Sequence, residues 1–281
     1  MNSLAERLKT PVRMFQRTQI YFNMVRSRYF RDHPIYDRPD NCSPELRELL
    51  DTGLLILPEF HDSRLIAVIS EQAYKLGKRL KEGGDPELSD TVIYPDDGIY
   101  RLRNVEAHIP ESKIVIDNPY LRQLAAEYLR YPLKTSGNYL DYKPDIGKHD
   151  YTTVPHMDQW KSSIKIFTLL SDVTEDNAPM VYWKGSHFDQ AWRRPLDYLN
   201  WLGTDIGSAG ICPPHLLRKR ADMEGGKNIE EAVITGKAGT VVVADTRGFH
   251  RASNLNAGYR LQMVQKFTVD YYKTMFQLFT Q

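Results

Sequence analysis

YTTVPHMDQW, residues 151–160, is the stretch on which the fold turns. His156 and Asp158 stand two apart in it. On a β-strand, residues i and i+2 point to the same face. An imidazole and a carboxylate at this spacing converge on one point inside a barrel. A second imidazole from another strand end would complete a facial set of two histidines and one carboxylate, which leaves positions open on iron(II). His250 is the candidate: it follows the turn Thr246-Arg247-Gly248-Phe249, which closes the apolar strand 240–245. A lone His-x-Asp arises by chance in many chains, so a fourth residue matters. Arg260 lies ten residues beyond His250. Its guanidinium fork matches a carboxylate bidentately. A 2-oxoacid chelating the metal needs such an anchor for its distal carboxylate.

The segments around this stretch are short, β-rich and bounded by Gly, Pro, Asn or Asp: 135–142, 162–170, 179–183, 231–235, 240–245 and 259–270. Many short strands separated by turn signals indicate a sandwich or barrel. Helical signals come before them. Ser43-Pro44-Glu45 offers an N-cap and a proline at the first helical position, and Gly53 stops the run. Leu65, Ile66, Ile69, Ala73 and Leu76 share one face of a helix over 62–82, which Gly83-Gly84-Asp85-Pro86 ends. A third helix is predicted over 118–130. Helices first and strands later give an α+β plan. The expected fold is a jelly-roll barrel (a double-stranded β-helix, cupin-like) buttressed by N-terminal helices. Residues 41–281 then form one domain. The stretch 186–230, rich in Trp, Pro and Gly, interrupts the strands as an insertion or lid.

Residues 1–40 form a basic extension with interleaved apolar residues. It reads either as a segment touching an anionic membrane surface weakly or as a helix packed on the core with solvated arginines. The whole chain has 281 residues and 41% apolar content, enough for one sizeable core. Its net charge of +1 gives no argument for nucleic acid as a partner. Cys42 and Cys212 make no disulfide framework, no secretory leader is visible, and a cytoplasmic setting is expected.

The ordered motifs resemble the phytanoyl-CoA dioxygenase family of iron(II)/2-oxoglutarate oxygenases. They are GLLILPEF at 53–60, HMD at 156–158, FTLLSDVTEDNAPMVYWKGSH at 167–187 and AGTVVVADTRGFHRASNLNAGYR at 238–260. The resemblance spans about 41–275. It departs from the family at Asn177-Ala178, where an Asn-Gly turn is usual, and at Lys184, where a proline is usual. It implies Fe(II) bound by His156, Asp158 and His250, 2-oxoglutarate held by Arg260 with Ser253 and Phe167 beside it, and O2 as the third participant. It also implies a dioxygenase that hydroxylates a small-molecule substrate. Related halogenases lack the carboxylate, so Asp158 favours hydroxylation or another oxidative outcome over halogenation.

Other residues carry open readings. Gln159 and Trp160 follow the His-x-Asp and either line the substrate pocket or pack. Tyr139, on the preceding strand, has the same two readings. Lys165 shares a strand face with Phe167; it contacts a second carboxylate or the substrate, or it snorkels. His187 is expected to serve the Gly-Ser-His turn. No GxGxxG after a strand, GxxxxGK[ST] or HExxH competes. A catalytically silent sensor on the same barrel, or an oxygenase acting on a lipid-linked or glycan substrate at a membrane surface, are the alternatives.

Overall fold

Ser43 opens helix α1 (Pro44–Thr52): its hydroxyl accepts from the Leu46 amide at 3.1 Å. Gly53 closes the helix at φ 77, a left-handed conformation that costs an L side chain about 1–2 kcal/mol. Asp62 caps helix α2 (Ser63–Glu82) by accepting from the amides of Arg64 and Leu65. The short helices α3 (Val105–His108) and α4 (Ser112–Ile116) and helix α5 (Pro119–Leu129) follow. This computed structural model describes residues 41–83, 86–88, 91–94, 98–129, 133–147, 151–158, 163–187, 210–211 and 229–269. The basic segment 1–40, Gln159, Trp160, Cys212 and most of 186–230 lie outside the described residues.

The strands are β1 (Leu54–Leu57), β2 (Thr91–Tyr94), β3 (Ile99–Arg103), β4 (Leu133–Lys143), β5 (His156–Met157), β6 (Ser163–Leu169), β7 (Met180–Lys184), β8 (Gly210–Ile211), β9 (Glu230–Ile234), β10 (Val241–Asp245), β11 (His250–Ala252) and β12 (Arg260–Val269). They form a seven-stranded sheet in the order β1-β10-β6-β12-β4-β3-β2 and a five-stranded sheet in the order β8-β5-β11-β7-β9. The strand pairs are antiparallel throughout.

Strand alternation sorts the large sheet's two faces. On its outer face, Ile164, Ile166, Val241, Val243 and Phe267 pack against Leu46 and Leu49 of α1 and Leu121, Leu124 and Tyr128 of α5. Further along the same face, Leu102, Leu140, Leu261 and Met263 meet Ile66, Ile69, Ala73 and Leu76 of α2. Each such buried side chain contributes about 1.5–3 kcal/mol relative to exposure. On the inner face, Leu54, Val242 and Ala244 meet Tyr182 and Ile234 of the small sheet. The rest of the inner face, from β6 through β12 and β4 to β3, borders a cavity. The expected helices over 43–52, 62–82 and 118–130 therefore stand within about one residue of their ends, and they cover one side of paired antiparallel sheets. Strands β2, β3 and β8 and helices α3 and α4 were not expected, and the strand read through His156 and Asp158 stops at Met157, so that Asp158 lies one residue beyond β5.

Candidate metal centre

His156 and His250 sit opposite each other in the β5–β11 ladder. Their ring centroids are 4.6 Å apart. His156 Nδ1 donates to the Val154 carbonyl at 2.7 Å, and His250 Nδ1 donates to the Gly248 carbonyl at 2.9 Å. A carbonyl oxygen only accepts, so each Nδ1 carries a proton, and in the neutral ring Nε2 keeps its lone pair. Both Nε2 atoms face one carboxylate oxygen, Asp158 Oδ1, at 4.0 Å from His156 and 3.7 Å from His250. All three ligand atoms lie within 4.8 Å of one another. This donor set, two imidazoles with their Nδ1 atoms already tied down and a carboxylate, fits a divalent transition metal.

The electrostatics of His156 fit a neutral ring. Burial, followed by the neighbouring His250, pushes His156 down to about 4, which keeps it neutral at ordinary pH. Burial pulls the Asp158 carboxyl up. The Lys165 ammonium, 2.7 Å from Oδ2, is the largest influence opposing it, and the carboxyl is held well below its usual range. Oδ2 is thus engaged by Lys165 while Oδ1 faces the histidines.

The turn that delivers His250 is built from buried polar contacts. Asp245, fully buried, accepts from Tyr128 Oη at 2.6 Å and from Arg247 Nε at 2.9 Å, and is ion-paired with Arg247 Nη2. Ser186 Oγ accepts from the Phe249 amide at 2.8 Å and donates to Trp183 O at 2.6 Å. Tyr182 donates its hydroxyl to Asp245 O at 2.9 Å and fills the space beside Gly248, where a Cβ would lie 2.0 Å from its oxygen. None of these residues was expected at the site. Only the Gly-Ser-His turn hinted at Ser186. His187, at the end of that turn, reaches helix α1 instead, its Nε2 lying 3.2 Å from Leu50 O.

A cavity of about 270 Å³ extends from the three ligands. Arg260, Phe167, Lys165 and Tyr139 line it, as do Leu169, Val242, Gln262, Lys266, Arg101 and Asp141. Arg260 is buried and donates to the carbonyl of Ala178, whose φ is 61. The departure from Asn-Gly at 177–178 therefore touches the arginine's support. Ser253 lies one residue past the lining residue Ala252, and its amide donates to Pro179 O at 2.8 Å. Arg101 pairs with Asp141 through two contacts of 2.6 and 3.1 Å, and its guanidinium carbon sits 4.1 Å from the centre of the Tyr139 ring. Burial raises the Tyr139 phenol.

No family model matches the chain, and no curated protein matches it. Solved structures do. The epimerase SnoN in complex with Fe3+, alpha ketoglutarate and nogalamycin RO superposes with a TM-score of 0.59 at 14% identity, over 80% of this chain and 82% of that one. EctD from S. alaskensis with 2-oxoglutarate and 5-hydroxyectoine gives 0.59 at 17% identity, over 83% and 78%. HygX from Streptomyces hygroscopicus with nickel and 2-oxoglutarate gives 0.52 at 16% identity, over 83% and 89%. At these identities the likeness is one of fold. Among the described residues, no helix is long and apolar enough to cross a membrane.

Proposed function

We propose that this chain is an iron(II)- and 2-oxoglutarate-dependent dioxygenase that hydroxylates a C–H bond of a small-molecule substrate. The observation that carries the reading is the aim of two Nε2 lone pairs at one oxygen of Asp158, in a cavity that also holds Arg260. Fold neighbours solved with Fe3+ or nickel and the same 2-oxoacid add support.

In this reading His156, Asp158 and His250 hold the metal. Arg260 takes the distal carboxylate of 2-oxoglutarate through a bidentate contact. Its bond to Ala178 O fixes the direction of the guanidinium before the ligand arrives. Phe167, Leu169 and Val242 provide apolar wall and exclude water, and Ser253 flanks the cosubstrate from the end of β11. Tyr139 and Lys165 line the cavity that would take the substrate, and a contact from Gln159 and Trp160, which lie outside the described residues, is part of the proposal. The bound pair supplies the oxidising chemistry, in which substrate C–H, 2-oxoglutarate and dioxygen become alcohol, succinate and carbon dioxide. With iron bound, Asp158 would supply the carboxylate ligand that related halogenases lack, which favours hydroxylation over halogenation.

Anaerobic titration of the metal-free protein with iron(II) and 2-oxoglutarate tests this through the visible charge-transfer band of the chelate. The band is expected in the wild type and not in His156→Ala. Its absence from the wild type would remove the assignment.

A further inference from the structure

Gln262 of β12 is 7% exposed and lines the cavity. Its carboxamide can both donate and accept hydrogen bonds. Among the described residues it has no partner. Strand register places it on the inner face between Leu169 of β6 and Asp141 of β4. Tyr139, two residues before Asp141 on the same face, is the next polar group along this wall. Its hydroxyl likewise has no hydrogen-bond partner among the described residues. Diagonal cross-strand neighbours such as these stand about 7–8 Å apart, within reach of one ligand. The charges beside them are answered. Asp141 accepts from Arg101 at 2.6 and 3.1 Å. The Arg101 guanidinium also lies 4.1 Å from the centre of the Tyr139 ring and holds that ring in place. Burial raises the phenol, which therefore keeps its proton and stays a donor at ordinary pH.

We propose that the substrate carries a neutral group that both donates and accepts hydrogen bonds, a hydroxyl or a carboxamide, and docks it at Gln262 and Tyr139. This rests on the oxygenase reading above, which places the cosubstrate at the metal and at Arg260. Buried polar groups are paired in folded proteins, and two without a partner on one wall of one cavity call for a ligand. A hydrocarbon substrate would cover both groups and leave their hydrogen bonds unmade. An ionic group would meet no counter-charge in an amide and a phenol. A hydroxyl or carboxamide answers both, accepting from Tyr139 Oη and donating to Gln262 Oε1. A site built to bond such a group rejects the analogue that lacks it. Phe167 and Leu169 offer apolar wall beside the pair for the carbon skeleton. The two polar residues then fix which end of the substrate is held, and thereby which carbon lies beside the metal.

Melting temperatures of ligand-free Gln262→Met and Tyr139→Phe come first, because a side chain kept for a ligand is not needed by the fold. Each variant is expected to melt at or above the wild-type temperature. A fall of more than about 3 °C in either, the size of one lost hydrogen bond in a domain of this length, gives that group a structural partner and overturns the proposal. Calorimetry on protein loaded anaerobically with nickel and saturating 2-oxoglutarate then compares cyclohexanol, cyclohexanecarboxamide, cyclohexanecarboxylate and cyclohexylamine. These probes share one ring and differ in the polar group. At least one neutral probe is expected to bind about tenfold or more tightly than either ion. Preference between the two neutral probes identifies the group. Gln262→Met and Tyr139→Phe should each weaken that probe about fivefold or more while 2-oxoglutarate affinity stays unchanged. Equal or tighter binding of an ion, no binding of either neutral probe, or unchanged affinity in either variant overturns the proposal. So does loss of 2-oxoglutarate affinity in Gln262→Met, which gives the amide to the cosubstrate. Failure of nickel and 2-oxoglutarate to bind the wild type strikes the oxygenase reading instead. The same four probes on the metal-free protein then decide the preference for a neutral group by itself.

Discussion

His250 stands directly opposite His156 across the β11–β5 ladder. Two candidate metal-ligating imidazoles are thus positioned by backbone pairing between strands, and each is turned by its own Nδ1 bond to a carbonyl two residues earlier. Replacing either ring by alanine removes a donor and leaves the ladder bonds, which are main-chain. His156→Ala and His250→Ala should each lose the charge-transfer band while the far-ultraviolet circular dichroism stays that of the wild type. A band retained in either variant takes that histidine out of the metal set.

Lys165 should tune the metal through Asp158. The ammonium holds Oδ2 and offsets the burial that otherwise raises the carboxyl. Lys165→Met leaves a buried carboxylate without that partner. Iron(II) affinity should fall about 10- to 100-fold, as it does when an outer partner of a metal ligand is lost. Calorimetric titration measures this. Equal affinity in the variant means that Asp158 needs no help from the lysine.

Gly248 is fixed by Tyr182. A Cβ at 248 would lie 2.0 Å from the phenol oxygen and 2.5 Å from Cζ, so shortening the side chain by its hydroxyl does not relieve the clash. Gly248→Ala must move the turn whose carbonyl orients His250. Denaturant melts should show about 1–3 kcal/mol of overpacking cost, with weaker metal binding in the same protein. A variant as stable as the wild type would show that the turn yields freely.

The helices and the metal triad were legible because their signals are local. Ser43, Gly53 and Asp62 are caps, apolar faces repeat along α2 and α5, and His156 and Asp158 are two residues apart. Of the cavity wall, Tyr139, Lys165, Phe167 and Arg260 were legible, while Arg101, Asp141, Gln262 and Lys266 were not, because the polarity of the wall is inverted. On β3, Arg101 lines the cavity while Tyr100 and Leu102 pack under helices; on β12, Gln262 and Lys266 face in while Leu261 and Met263 face α2. An alternating strand with charges on one face reads as charges toward water. Strands β5 and β11 are too short, at two and three residues, to carry any period. The pairing of Asp245 with Tyr128 spans 117 positions and leaves no local trace.

That buried network should dominate stability. Asp245 is fully buried and holds both Arg247 and Tyr128. Asp245→Asn leaves the guanidinium of Arg247 buried without its counter-charge, at a cost of about 3–5 kcal/mol. Tyr128→Phe removes one hydrogen bond to a charged group, about 1.5–3 kcal/mol. Urea unfolding of the two variants should rank them in that order. A reversed order would place the stabilisation in the phenol, not in the ion pair.

Arg260 and Ala178 separate anchoring from strain. Arg260 donates to the carbonyl of Ala178, and Ala178 holds φ at 61, where an L side chain is strained. The bond uses the main chain, so a glycine at 178 keeps it. Ala178→Gly should raise the melting temperature, by up to about 1 kcal/mol of stability, with cosubstrate dependence unchanged. Arg260→Ala should do the opposite. Its apparent KM for 2-oxoglutarate should rise roughly 10- to 100-fold, the worth of charge-assisted bonds to one carboxylate. Iron binding should survive, because none of the three ligands is touched. Succinate release against 2-oxoglutarate concentration reads both variants. An unchanged KM in Arg260→Ala removes the arginine from the site, and a raised KM in Ala178→Gly would mean that the strained turn itself aims the guanidinium.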